Sequence, residues 1–210
     1  MTNDWKLVLK VILGSVALMM VVILGLSKMG RTSTLLSADM GQLLNGATLI
    51  KENGESKVTL VIFSDMECPA CKRANTLMVD IENMQGVKTV FRHYPLSIHK
   101  YSQITAKAVE AARVMGKGFE MKGVLFDKQE EWSSASNIEE KLVGYAKGLG
   151  LDEKIFLEKL NSTGVAEIVA LDINLGNILK LSGTPTVFVN GEQVAADFVE
   201  AKVTELLNQQ

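Results

Sequence analysis

The stretch KVTLVIFSDMECPACK, residues 57–72, limits the possible folds more than any other part of the chain. Its first half is a near-continuous apolar run of strand length, rich in β-branched residues. Such a run marks a strand buried on both faces, which requires a sheet covered by helices on either side. Directly behind it a helix is predicted to begin at Cys68-Pro69-Ala70-Cys71. Proline suits a first helical position, where the N–H it lacks would have no partner anyway. Leu77, Met78 and Ile81 carry the apolar pattern onward, and VKTVFRHYPL (87–96) is a second strand candidate that stops before Pro95.

The pattern then changes period. From Tyr101 to about Lys180, apolar residues such as Ile104, Ala108, Ala111, Ala112 and Met115 recur at helical spacing. Helices are predicted over 119–128, 137–148, 152–160 and 165–181. TPTVFVNGEQVAA (184–196) reads as two strands joined at Asn190-Gly191, a strong hairpin signal. A last helix is predicted over 198–207. The order β-α-β, helical block, β-β-α implies an α/β domain whose sheet carries helices on its faces.

The first 30 residues are unlike the rest. Val11 to Leu26 is unbroken apolar or small, and extension back to Leu7 gives 20 residues with one charge, Lys10. About 20 apolar residues span a bilayer's hydrocarbon. Lys10 lies near the start, where its amine can snorkel, and Trp5 stands where an interfacial aromatic would. Residues 1–30 are therefore expected to form a transmembrane signal anchor. A signal peptide cleaved near Gly25-Leu26-Ser27 and a buried core helix are the alternatives. Lys6 and Lys10 precede the run while Lys28 and Arg31 follow it, so charge does not orient it. Residues 31–47 read as a linker with a helical turn near Leu43, and a short strand is expected in ATLIKE (47–52). The folded domain is expected over 48–210.

Totals exclude several classes. A net charge of −2 without a long basic block offers no electrostatic case for nucleic acid. Two cysteines cannot staple 210 residues, so this is no disulfide scaffold.

Those cysteines are better read together. A C-x-x-C beside a βαβ pattern suggests a redox pair. Cys68, just before the helix, would receive free backbone N–H groups and the helix dipole, which favour the nucleophilic thiolate. Cys71, one turn further in, would resolve a mixed disulfide. The dipole alone supplies roughly 0.3–1 kcal/mol, less than one pKa unit, so a deep depression needs direct hydrogen bonds to sulfur. Lys72 and Arg73 favour the thiolate; Asp65 and Glu67 oppose it. Zinc on Cys68, Cys71, His93 and His99 would require C-x2-C-x21-H-x5-H, with a central gap beyond the zinc-finger range. Copper(I) on both thiolates with Met66, and an inert buried pair, are the other rivals.

FSDMECPACK, FRHYPL, ITAKAVEAARVMGKGFEMKGVLFDKQEEW and LSGTPTVFVNGEQV, taken together, resemble the DsbA-like thioredoxin-fold oxidoreductases over roughly 48–207. The resemblance implies a thioredoxin fold with a helical domain inserted at about 100–181. It implies catalysis by Cys68 and Cys71 with no cofactor beyond their own redox-active disulfide, and no metal. Pro69 and Ala70 form the dipeptide between them, and Thr184-Pro185 forms a cis-proline loop facing the disulfide. Thr184 would then offer backbone groups to an extended peptide and its hydroxyl to Cys68. Two positions depart from the pattern. Ile62 stands where many relatives carry a buried acid, and Ala70 replaces the histidine of the strongest oxidants. His93 reads as structural, and Phe119, Phe126 and Trp132 as packing.

The function implied is an extracytoplasmic thiol–disulfide oxidoreductase that introduces disulfides into exported proteins. A quinone-linked membrane partner would reoxidise it. Disulfides persist outside the cytoplasm, which would put the N-terminus inside and the catalytic domain on the periplasmic side of the cell membrane. A reductase or isomerase with the same cysteines, or a copper(I)-delivery module, are the alternatives.

Overall fold

The computed structural model describes residues 13–15, 19–20 and 37–209. The chain divides into two compact units, 1–35 and 36–210. In the first, residues 13–15 and 19–20 are helical and exposed. The expected membrane anchor otherwise lies outside the described residues. Among the described residues, no helix is long and apolar enough to cross a membrane.

The second unit is built on a sheet of five strands: β1 (Leu49–Glu52), β2 (Val58–Ser64), β3 (Val87–His93), β4 (Thr186–Val189) and β5 (Glu192–Val194), in the order β1-β3-β2-β4-β5. β2 pairs parallel with β3 and antiparallel with β4, so it is the central strand. All of its residues but Thr59 are buried, as its continuous apolar run requires. At the β4–β5 turn, Asn190 (φ 48°) and Gly191 (φ 86°) both take left-handed conformations. Asn190 also accepts the Thr59 N–H on its side-chain oxygen at 2.8 Å, tying the hairpin to β2.

Helix α1 (Met40–Leu44) lies in the stretch read as a linker. Asp39 caps it by accepting the Gln42 N–H at 2.9 Å, and Leu43 is fully buried. Ser37 bridges Glu192, so this stretch is joined to the sheet edge. Helix α2 (Pro69–Ile81) follows β2 and leads into β3. Six helices then intervene before β4: α3 (Ser102–Val114), α4 (Gly118–Asp127), α5 (Gln129–Ser133), α6 (Ile138–Gly148), α7 (Glu153–Leu160) and α8 (Thr163–Ile178). A closing helix, α9 (Val199–Asn208), follows a short 3₁₀ turn. This is the thioredoxin-fold α/β arrangement with an inserted helical block.

Helix boundaries follow local chemistry. Asn137, Asp152 and Ser162 each cap the next helix by accepting a backbone N–H. α8 stops short of the predicted 181 because Lys180 turns left-handed (φ 54°) and the Leu181 N–H reaches back to the Gly176 carbonyl. Trp132, Phe126 and Phe156 fill the insert's core, and the Trp132 indole donates to the Leu125 carbonyl at 2.7 Å.

A buried polar joint ties the insert to the sheet. Arg92 of β3 contacts Asp172 of α8 at 2.7 Å and donates to the carbonyls of Leu43 and Asn45. Asp172 also accepts the His93 N–H, and the His93 ring lies 3.1 Å from Glu110. His93 is thus a structural residue at the end of β3.

Candidate active site

The end of β2 and the start of α2 set both cysteines. Cys68 occupies the cap position in an extended conformation (φ −74°, ψ 121°), with Pro69 as the first helical residue. Both thiols are free; Cys68 is 8% exposed and Cys71 1%. The two sulfurs live in opposite electrostatic worlds. Cys68 is lowered to about 5, chiefly by a hydrogen bond from the Cys71 thiol. Burial opposes this, while the N–H groups of Cys71 and Ala70 and the Thr184 hydroxyl assist. These are the direct bonds that the helix dipole alone cannot replace. Cys71 is pushed far up, first by the same interaction with Cys68 and second by burial.

The loop before β4 supplies the facing wall. The Thr184–Pro185 peptide bond is cis, and the Thr184 carbonyl accepts from the Cys68 thiol at 3.7 Å. The Thr184 hydroxyl is buried beside both sulfurs and favours the thiolate of each. Pro69 is exposed, and Ala70, Thr184 and Pro185 are half-buried. The residues singled out in the sequence therefore gather at one end of α2.

The charges near Cys68 are arranged differently from the sequence reading. Asp65 is buried and held by the N–H groups of Glu67 and Leu96 and by His99 Nδ1, each at 2.8 Å. Burial alone would lower the pKa of His99, but Asp65 outweighs it and the net shift is upward, with Cys68 and Glu67 adding to the rise. Asp65 thus favours the protonated form of His99. By sequence spacing alone, His99 is a candidate only for metal ligation. Lys72 instead pairs with Glu130 at 2.9 Å on the surface. Among the described residues, no group of three His, Cys, Asp or Glu side chains is placed to hold a metal.

A further residue escaped the sequence reading. Gln129, the first residue of α5, donates its amide to the carbonyls of Met66 (2.7 Å) and Cys68 (3.1 Å). The helical insert thereby clamps the cysteine loop.

Comparison with known proteins agrees with this architecture. The Thioredoxin_4 family model, described as thioredoxin, matches residues 46–209. The oxidised BdbD structure from Bacillus subtilis is 22% identical, covers 83% of this chain and 98% of its own, and superposes with a TM-score of 0.69. A thioredoxin-like oxidoreductase from Silicibacter pomeroyi is 26% identical, covers 82% and 97%, and gives a TM-score of 0.63. A curated relative, Na(+)/H(+) antiporter NhaA 3 of Salinispora tropica, is 38% identical over 141 residues, 66% of this chain. The chain spans about a fifth of the length of that relative (21%). With a matching model over most of its length and a DsbA-like helical insert between its strands, the chain belongs to the thioredoxin family.

Proposed function

We propose that this thiol–disulfide oxidoreductase introduces disulfides into exported proteins. The observation that carries the reading is the juxtaposition of a helix-capping Cys68 with the Thr184 carbonyl, with Cys71 behind it and more deeply buried. In the oxidised enzyme, a substrate thiolate attacks the Cys68 sulfur and the Cys68–Cys71 bond breaks. Cys71 leaves as a thiolate and takes up a proton. A second substrate thiolate then attacks the substrate sulfur of the mixed disulfide. The substrate disulfide forms, and Cys68 leaves as a thiolate that its surroundings already stabilise. Two electrons have passed to the enzyme, and a quinone-linked membrane partner removes them. Stabilising the reduced form in this way makes a pair more oxidising, which favours an oxidase over a reductase or isomerase.

An open groove of about 530 Å³ beside Pro69, Arg73, Thr76 and Gln129 gives an extended substrate chain room next to Cys68. We place the domain outside the cytoplasm, held to the cell membrane by the apolar N-terminal segment. The reading is tested with Cys71→Ala, which cannot resolve mixed disulfides. It should accumulate Cys68-linked exported proteins, visible on non-reducing gels and identified by mass spectrometry. An empty trap would contradict exchange with such substrates.

A further inference from the structure

Ile62, six residues before Cys68, is apolar and 4% exposed. β2 therefore offers no acid at this position. Cys71 nevertheless has to lose a proton to attack a mixed disulfide and regain it on leaving. A carboxylate approaches from another side. Ile62, Ser64, Cys71, Asn75, Glu82 and Phe91 share the lining of one internal cavity of about 10 Å³. That is about the least volume that holds one water, and a buried water needs two to four polar partners. Four of the lining residues, Ser64, Cys71, Asn75 and Glu82, carry polar side chains.

Glu82 follows the last residue of α2 and is 3% exposed. Lys122 of α4, equally buried at 3%, places its Nζ 2.5 Å from Glu82 Oε1. The same amine lies 5.4 Å from the centre of the Phe91 ring and 5.1 Å from that of Phe119. A buried ion pair is poor evidence of stabilisation, since apolar residues of similar volume often do as well. Its position on the wall behind the resolving cysteine suggests a chemical use.

We propose that Glu82, held by Lys122, is the proton-relay residue of Cys71; the assignment rests on the thiol–disulfide reading. In resolution, the Cys71 proton passes through a water in the cavity to Glu82, giving a carboxylic acid. The Cys71 thiolate attacks the Cys68 sulfur, the intramolecular disulfide forms, and the partner sulfur leaves as a thiolate with two electrons. The acid, beside the Lys122 ammonium, then releases its proton to solvent past half-buried Asn75. When substrate attack expels Cys71, the proton returns by the same route. The charged and titratable groups facing the relay are Lys122 on α4, Lys51 on β1, and Cys68 with Asp65 and His99 beyond it.

The test uses the full chain, loaded at Cys68 with glutathione, and follows glutathione release against pH. Glu82→Gln should slow release about 100-fold, the low end for general acid–base catalysis, and move its pH profile upward. The pH midpoint of Cys68 alkylation should stay in place. Because Glu82→Gln strands the Lys122 amine, Glu82→Gln/Lys122→Met serves as the well-packed companion. In that background Ile62→Asp, which lines the same cavity, should restore release by about tenfold or more. Release within about twofold of the parent in either folded variant would overturn the relay. So would slow release with an unmoved pH profile and no rescue. Failure of the parent chain to form any glutathione adduct would overturn the thiol–disulfide reading itself, and the relay with it.

Discussion

Cys68 and Cys71 are three residues apart, yet the surroundings of one are almost the inverse of the other's. Cys68 caps α2 and is met by the Cys71 thiol, the Cys71 and Ala70 N–H groups and the Thr184 hydroxyl, so its pKa falls to about 5 despite burial. Cys71 is one turn inside the helix, 1% exposed, and burial together with Cys68 keeps its proton on. A single helical turn, from cap to interior, divides attack from resolution. The same hydrogen bond, from the Cys71 thiol to the Cys68 sulfur, lowers one group and raises the other.

The largest break in this asymmetry is expected from Cys71→Ala. It ends turnover and also removes the strongest support of the Cys68 thiolate. The pH midpoint of Cys68 alkylation should therefore rise clearly from about 5. A midpoint that stays in place would mean that N–H groups and Thr184, not the partner thiol, hold the charge.

Next comes Gln129→Ala, which strips the clamp from the Met66 and Cys68 carbonyls. The Met66 carbonyl would lose its side-chain donor, while the Cys68 carbonyl keeps the Lys72 N–H, at a cost of about 1–3 kcal/mol, measurable as a lower unfolding midpoint in denaturant. Slower and less selective reaction at Cys68 should accompany it, because the loop that aims the sulfur is freed.

A smaller effect is expected from His99→Ala, which should raise the Cys68 midpoint slightly, since His99 and Cys68 interact electrostatically. His99 has a raised pKa in the fold. Its contribution to stability is thus fully present below its ordinary value near 6.5 and lost as pH climbs through the raised value. Parent and variant should differ most in acid and converge in alkali, as read from thermal melts across pH. Lys72→Ala should change least. Its partnership with Glu130 is a surface pair, and the Cys68 titration should be unmoved.

Much of this architecture was legible because single chemical rules governed it. The β-branched run of β2 could only be a doubly buried strand, and Asn190-Gly191 could only favour a tight hairpin. That the CPAC and GTPT loops face each other was implied only by the family resemblance, and the Cys68 thiol does lie 3.7 Å from the Thr184 carbonyl. The unread parts depended on partners distant in sequence. Five-residue α5 begins after Lys128 with no side-chain cap, so it carried no start signal, and the role of Gln129 needs Met66 beside it. Glu82 carried no signal of its own, because its partner Lys122 stands 40 residues further on. His99 looked like a stray ligand until the fold set it on Asp65. The α8 terminus was misjudged because a lysine, not a glycine, takes its left-handed position.

The central claim is that the fold stabilises the reduced pair through the Cys68 thiolate and so makes an oxidant. The equilibrium of the Cys68–Cys71 pair against defined ratios of reduced and oxidised glutathione measures this directly. The account predicts a reduction potential clearly above the roughly −270 mV of thioredoxin. A value at or below that figure would contradict it and assign the same two cysteines to a reductase.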